Sequence, residues 1–475
     1  MAKNIDKYKN HSREELINEL ETLKKKKYGL VWDKKNSQEM LDAFVNWENV
    51  PENFMPKQFP VLKEVKNKEI ETDKSKPVNL LIEGDNYHSL AVLNFTHQNK
   101  VDIIYIDPPY NTGNKDFIYN DKFIDSEDPF RHSKWLSFME KRLKLSRKLL
   151  RKTGVIFISI DDNEQAQLKL LCDEIFGEDN FIESFIWIKK NSAKGVPPKN
   201  MVVNVHENIL CYGKSSETKL LGELRTDETF SNNDNDPRGP WRRSNIKSTL
   251  ENKKNKFVIT DPKTGIEFTN FWAFSQKTLQ EMIEQGRIIF PKNSSGLPKQ
   301  KEYLNEFSNP RIPIMSHLGI FDSQATTEKN IDQMMGTKFF LYRKPIELIK
   351  KIISQSSADK NTVVLDFMAG SGTTGQAVLE LNKDGGNRKF ILCTNNENNI
   401  CTDICYPRVE KVIKGYKNTK GEKIKGLGQN LKYFKTDFVG SDSTDKNKRD
   451  LVKKYTEMIC IKEDIFDLVI DGGVD

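Results

Sequence analysis

The sequence predicts an α/β fold, and two strand-to-loop junctions far apart in the chain predict it. The run VDIIYI at 101–106 is apolar and rich in β-branched residues, the pattern of a strand buried on both faces. It stops at Asp107-Pro108-Pro109-Tyr110. A double proline continues neither strand nor helix, so the chain leaves the sheet at Asp107. The second junction repeats the design: VVL at 363–365 reads as a buried strand, Gly370 and Gly372 as a turn, and Thr373 onward has helical periodicity. In an open α/β sheet ligands lie beyond the carboxyl ends of the strands, so both loops point to a site.

The other elements follow in chain order. Ser12 and Glu15 have capping-box spacing, Leu16, Leu20 and Leu23 share a helical stripe, and a lysine run at 24–27 suits the C-terminal dipole. This N-terminal helix fits packing between subunits or on its own domain equally well. Residues 60–77, rich in Lys and Glu, read as a linker. LLIEG then forms a strand that ends at Asp85. In SKWLSFMEKRLKLSRKLLRKTG, Trp135, Leu136, Met139, Leu143 and Leu150 recur at helical spacing, with Lys141, Lys144, Arg147, Lys148 and Arg151 largely elsewhere. Gly154 reads as the helix stop and GVIFISI as the next strand. The basic face reads first as solvated, with phosphate contact as the alternative.

Between 214 and 335 the segments shorten, and aromatic and basic side chains interleave with Asn, Gly and Pro. DNDPRGPWRR brings Arg238, Trp241, Arg242 and Arg243 together, and Lys301 and Tyr303 follow a Gly-Pro loop. Arginine can read bases through paired hydrogen bonds, whereas lysine mostly meets phosphate. This segment is a candidate nucleic-acid-binding region. The strand RKFILCTN follows the glycine loop and ends near Glu397, where an acid can bind ribose hydroxyls. Past 417 the tail carries a polar stretch and then the strand-like fragment IFDLVIDGGVD.

The Asp107 loop offers hydrogen-bond acceptors and one aromatic face. That suits a flat base with an exocyclic amino group: Asp107 and the Pro108 carbonyl take its protons while Tyr110 stacks on the ring. Stacking contributes roughly 1–3 kcal/mol, close to the cost of extruding a base from a duplex. Taken alone, the tetrapeptide fits a plain turn equally well. The glycine loop lacks G-x-x-x-x-G-K-[ST], so its ligand reads as a nucleoside without a polyphosphate.

Composition narrows the class further. A chain of 475 residues accommodates two to four domains, and its net charge of +7 is modest, so the local clusters carry more meaning than the sum. The six cysteines read as reduced thiols; Cys401 and Cys405 lie close, but no second Cys/His pair has zinc spacing, and no histidine opens H-E-x-x-H. No metal is expected. No run has the length of a membrane span and MAKNIDKYKN has no signal-peptide core, so a cytoplasmic protein with no membrane partner is expected.

DPPY followed much later by DFMAGSGTT resembles the β group of amino-methylating DNA methyltransferases, in which the catalytic motif precedes the cofactor motif. The flanking stretches NLLIEGDNYHSL, NVHENILCYGK, KPIELIKKII and LNKDGGNRKFILCTNNEN look like modification (Mod) subunits of type III restriction-modification systems. The similarity spans most of residues 78–416.

The resemblance implies a Rossmann-like S-adenosylmethionine-dependent methyltransferase with a mixed, mostly parallel sheet and an inserted target-recognition domain. Its implied organisation is a helical and linker segment (1–77), a catalytic half (78–213), target recognition (214–335), a cofactor-binding half (336–416) and a C-terminal segment (417–475) that is short against the family.

The same resemblance implies roles position by position. Asp107, Pro108, Pro109 and Tyr110 match the catalytic loop that receives a flipped adenine, the acidic start leaning toward adenine rather than cytosine. Asp366, Phe367, Gly370 and Gly372 match the cofactor loop, Thr373 reaches toward the methionine carboxylate, Asp85 reads the cofactor's adenine, and Glu397 binds its ribose. Arg238, Trp241, Arg242 and Lys301 are the implied DNA contacts. Lys344-Pro345 matches the entry to the helix before the cofactor strand, where proline also suits a first helical turn on structural grounds alone. The implied partners are double-stranded DNA, a second copy of the chain and a restriction (Res) subunit. A stand-alone methyltransferase and a DNA-recognition subunit with little activity are the alternatives.

Overall fold

The computed structural model describes residues 12–13, 58–113, 118–119, 122–123, 128–190, 201–225, 229–251, 253–307, 311–321, 332–336, 344–440, 442 and 444–466. The N-terminal helix expected after Ser12 and most of the final strand-like fragment lie outside these residues. The chain divides into two compact units, a larger one of Met1–Leu221 with Met315–Asp475 and a smaller one of Gly222–Ile314.

The larger unit is built on a ten-stranded sheet. In chain order its described elements are β1 (Gln58–Glu64), β2 (Val78–Glu83), α1 (Asn86–Thr96), β3 (Val101–Ile106), α2 (Arg131–Leu149), β4 (Leu150–Ile160), α3 (Gln165–Phe176), β5 (Phe181–Ile188) and β6 (His206–Gly213). After the smaller unit come β7 (His317–Ile320), α4 (Ile346–Ser356), β8 (Val363–Asp366), α5 (Thr373–Leu381), β9 (Lys389–Thr394), α6 (Tyr406–Lys414), β10 (Asn430–Gly440) and α7 (Asp445–Glu463). The strand order is β1-β10-β2-β9-β8-β3-β4-β6-β5-β7. The six strands from β10 to β4 run parallel, while β1, at one end, and β6 and β5, toward the other, pair antiparallel with their inner neighbours. The sheet is therefore mixed and mostly parallel, as the family resemblance implies.

Burial explains why the central strands are apolar throughout. Alternate residues of a strand face opposite sides of the sheet. Leu80, Ile82, Ile104, Ile106, Leu365 and Ile391 join one core with side chains of α1, α2 and α3. The intervening residues face the other layer, where α5 lies so close that a Cβ added at Gly375 would stand 2.9 Å from Leu392 Cδ1. Helices on both faces make the sheet doubly wound.

Three local expectations change. α2 ends at Leu149 and the chain enters β4 directly, with Gly154 inside the strand rather than closing the helix. The reason is pairing: Val101 stands opposite Leu150 and Ile103 opposite Val155, a register shift that absorbs the basic segment as an irregularity of the strand. Gln58–Glu64, which overlaps the expected linker, is a strand paired with β10, and Val61 and Leu62 are buried in it. β10 itself lies in the tail beyond 417, yet it pairs in parallel with β2 and completes the sheet.

The smaller unit has its own core of Ile246, Ile259, Phe268, Trp272, Leu279, Met282 and Ile288. Trp241–Asn245 pairs antiparallel with Lys299–Tyr303, and Lys256–Thr260 with Glu267–Phe271. Its limits fall inside the 214–335 segment, since His317–Ile320 pairs with β5 in the large sheet.

Candidate active site

β3 and β8 lie side by side and parallel, Leu365 opposite Ile104. From β3 the chain passes through α2 to β4 on one flank; from β8 it passes through α5 to β9 on the other. Two neighbouring strands whose connections part in this way form a topological switch point, where a crevice opens beyond the carboxyl ends. The loops that flank it are Asp107-Pro108-Pro109-Tyr110 and residues 367–373.

The first loop is held from several directions. Trp135 of α2 donates its indole N–H to the Pro109 carbonyl at 2.7 Å. Asn111, at a φ of 56°, donates to Glu164 Oε1 at 2.5 Å and to the Arg131 carbonyl at 3.3 Å. Such a φ is uncommon outside glycine but tolerated by asparagine. Among the described residues the Pro108 carbonyl accepts no hydrogen bond, so it remains available to a ligand.

Asp107 and Tyr110 enter a charged network that the sequence did not reveal. Lys344 Nζ donates to both Asp107 oxygens, at 2.9 Å each, and to the Tyr110 hydroxyl at 2.8 Å. It also stands 3.2 Å from Glu207 Oε2. The Tyr110 hydroxyl lies 2.9 Å from Asp107 Oδ1 and 3.0 Å from Glu207 Oε2, so its single proton serves one carboxylate at a time. Lys189 reaches Glu207 Oε1 at 3.3 Å.

Burial alone would discharge these groups, but their pairing outweighs it. Burial lowers the Lys344 pKa, yet Asp107 and Glu207 together raise it above the ordinary lysine value. Burial raises the Glu207 pKa, yet Lys344 and Lys189 bring it below the ordinary carboxylate value. Burial and the two carboxylates push the Tyr110 phenol well up. The result is an ammonium between two carboxylates with a neutral phenol beside them.

The second loop presents backbone. A Cβ at Gly370, where φ is 48°, would meet nothing nearer than 3.9 Å, so the space before it is open. Gly372, with φ 78°, caps α5, and a Cβ there would come within 3.0 Å of Cys405 Sγ. Asp366 ends β8, is buried, and accepts from the Met368 N–H at 3.0 Å. Phe367 is fully buried in the α1–α3 core, so it shapes the loop from below.

Thr373 Oγ1 accepts from Arg408 Nη1 at 2.9 Å. That buried arginine of α6 also reaches the Ser371 carbonyl at 3.2 Å and Gln376 Oε1 at 2.9 Å, bracing the loop. The Arg408 role had no local signal, because it depends on α6 packing against α5.

The two acids expected at the cofactor's nucleoside follow the ends of neighbouring parallel strands, β2 and β9, where Glu83 stands opposite Thr394. Asp85 is the N-cap of α1, accepting from the Tyr87 N–H at 2.7 Å, with Arg142 Nη2 at 3.3 Å. β9 separates its strand from β8. Glu397 is exposed in the turn just beyond β9. Cys401 meets the Tyr433 hydroxyl at 3.3 Å, and Cys405 packs beneath Gly372. No described helix is long and apolar enough to cross a membrane.

In the smaller unit, the four candidate DNA contacts are brought together and largely tied up. Arg238 clasps Asp236 through Nε at 2.9 Å and Nη2 at 2.8 Å. Lys301 reaches Asp236 at 2.8 Å and also pairs with Asp234, which accepts from the Trp241 indole at 2.8 Å. Arg242 pairs with Glu302 at 2.7 Å. Arg243 stands opposite Lys301 in the strand pair, is exposed, and has no partner among the described residues. The acids that hold these cations lie in DNDPRGPWRR and in the strand Lys299–Tyr303, so the pairing was open to a reading that counted both signs of charge.

Residues 101–447 match the family model described as DNA methylase. The chain is 37% identical to the type III restriction-modification enzyme StyLTI Mod subunit of Salmonella typhimurium, over 66% of this chain and 52% of that one. It is 33% identical to the type III restriction-modification enzyme EcoPI Mod subunit of Escherichia phage P1, over 79% and 64%. It is 34% identical to the type II methyltransferase M.KpnI of Klebsiella pneumoniae, over 68% and 82%. The chain thus spans between 52% and 64% of the length of these two Mod subunits.

Proposed function

The chain belongs to the DNA methylase family, and from that premise we propose that it methylates the exocyclic amino group of adenine in duplex DNA, as the modification and recognition subunit of a type III restriction-modification system. The observation that carries this reading is the meeting of the Asp107 loop and the Gly370 loop at one switch point. An acceptor loop for an amino group and an open backbone cradle for a nucleoside lie on adjacent strands.

S-adenosylmethionine fits the second loop on the open space at Gly370, which a side chain would fill. When bound it supplies an electrophilic sulfonium methyl. Residues 367–373 hold it, with Asp85 and Glu397 as the proposed acids for its adenine and ribose. Asp107 and the Pro108 carbonyl accept the two protons of the target amino group, and Tyr110 packs against the base.

S-adenosylmethionine held there would supply the methyl group for the new bond to adenine N6, the electron pair of its C–S bond remaining with sulfur. The one proton that N6 loses passes to Asp107 and on to water. The protein forms no covalent bond; its contribution is placement and fixed hydrogen bonds, which lower the barrier by removing orientational freedom beforehand. Gly222–Ile314 is the proposed target-recognition unit. A second copy of the chain and a restriction subunit are the partners this reading calls for.

The likeness to a type II methyltransferase over 82% of its length favours a second reading, a methyltransferase that works without a nuclease partner. Modified-base sequencing of DNA from cells with and without the gene separates the two. 6-Methyladenine on one strand of a short asymmetric motif supports the type III reading. Methylation of both strands of a palindrome supports the alternative, and no change at any motif overturns both.

A further inference from the structure

Lys344 enters the site from a segment 237 residues after Asp107, and no feature of the transfer reaction itself requires a cation there. Its placement is specific. An ammonium has three protons, and these meet Glu207, the Tyr110 hydroxyl and the Asp107 carboxylate, the last bridging both oxygens. A carboxylate offers about four acceptor positions. Lys344 occupies one on each oxygen, and when the Tyr110 proton is turned to Asp107 it fills a second on Oδ1, which leaves a single position on Oδ2 among the described residues.

We propose that Lys344 is a positioning residue: anchored by Glu207, its ammonium fixes the Asp107 carboxylate so that one Oδ2 lone pair faces the amino group of the target base. The inference rests on the methyltransferase reading and deepens it. A carboxylate free to rotate about its terminal bond presents either oxygen at many angles. The Lys344 and Tyr110 contacts remove that freedom before the base arrives. Glu207, itself gripped by Lys189, keeps Lys344 from following the base or swinging toward water. Trp187, whose ring centre lies 5.6 Å from Lys344 Nζ, closes another side.

A purely structural role, neutralising two buried carboxylates, makes a different forecast. Arginine retains the charge but carries it on a planar fork that cannot meet three partners arranged around one nitrogen. The test is single-turnover methyl transfer to cognate DNA by Lys344→Arg, with cofactor binding, KM for DNA and thermal melting measured in parallel.

The proposal expects melting and both affinities near wild type and a transfer rate lower by about 100-fold, the scale of a misplaced catalytic group. A Lys344→Arg rate within about threefold of wild type overturns it. Glu207→Gln guards against a folding failure of the first variant. It removes the anchor's charge, and the proposal expects kcat to fall by about 10-fold with KM unchanged; an unchanged kcat overturns it. A wild-type chain that transfers no methyl group to any DNA overturns instead the reading on which the proposal rests.

Discussion

The Thr374 hydroxyl donates to Asp366 Oδ2 at 2.5 Å, joining the first turn of α5 to the last residue of β8 and fixing the glycine loop between them. Burial pushes the Asp366 pKa up to about 7, and neither this bond nor the one from Met368 N–H restores it to the ordinary carboxylate range. The folded state therefore holds a proton that the unfolded chain releases near pH 3.8. This group's stabilising contribution is complete below that pH and is lost as pH rises through about 7. Urea midpoints should fall across this window more steeply for wild type than for Asp366→Asn, which cannot titrate. Parallel pH dependences would contradict the assignment.

The two loop glycines should separate binding from stability. Gly370→Ala places its Cβ in open space, so the expected change is a modest stability loss of about 1–2 kcal/mol for a left-handed backbone, with a large loss of cofactor affinity. Gly372→Ala carries the same strain and also presses on Cys405 Sγ at 3.0 Å, so it should destabilise more. Calorimetric titration with S-adenosylmethionine and thermal melting of both variants measure the contrast. Equal cofactor affinity in wild type and Gly370→Ala would remove that glycine from the binding loop.

Charge pairing divides the basic residues of the smaller unit. Arg242 is held by Glu302, whereas Arg243 is exposed without a partner among the described residues. Arg243→Ala should weaken DNA binding more than Arg242→Ala does. A loss uniform over sequences, with the salt slope reduced by about 1, marks a phosphate contact; a loss confined to the cognate site marks a base contact. Filter binding across a salt series distinguishes these outcomes, and a stronger effect from Arg242→Ala would reverse the assignment.

The parts of this fold that were legible in the sequence are those written locally. VDIIYI ends at two prolines and VVLD at a glycine loop, so strand, exit point and loop chemistry sit within a few residues of one another. The opposite holds for Lys344 and Glu207. Lys344 drew notice only as the entry to a helix and Glu207 only as part of a strand-heading stretch, and it is the sheet order that brings Lys344 to Asp107 and Glu207 to Lys344. β1 was hidden for a different reason: its short run Phe59-Pro60-Val61-Leu62 holds a proline, does not alternate and opens a Lys- and Glu-rich stretch, and its partner β10 lies more than 360 residues later. In DNDPRGPWRR the cations drew attention to DNA, although Asp234 and Asp236 in the same decapeptide claim Trp241, Arg238 and Lys301.

The central claim is that the Asp107 loop is where the target amino group is held for methyl transfer. Labelled methyl transfer from S-adenosylmethionine to cognate DNA, compared between wild type and Asp107→Ala, tests it most directly. Wild type should transfer, and Asp107→Ala should give no measurable product while its cofactor affinity stays within about threefold of wild type. A folded Asp107→Ala protein with near wild-type turnover would contradict the account.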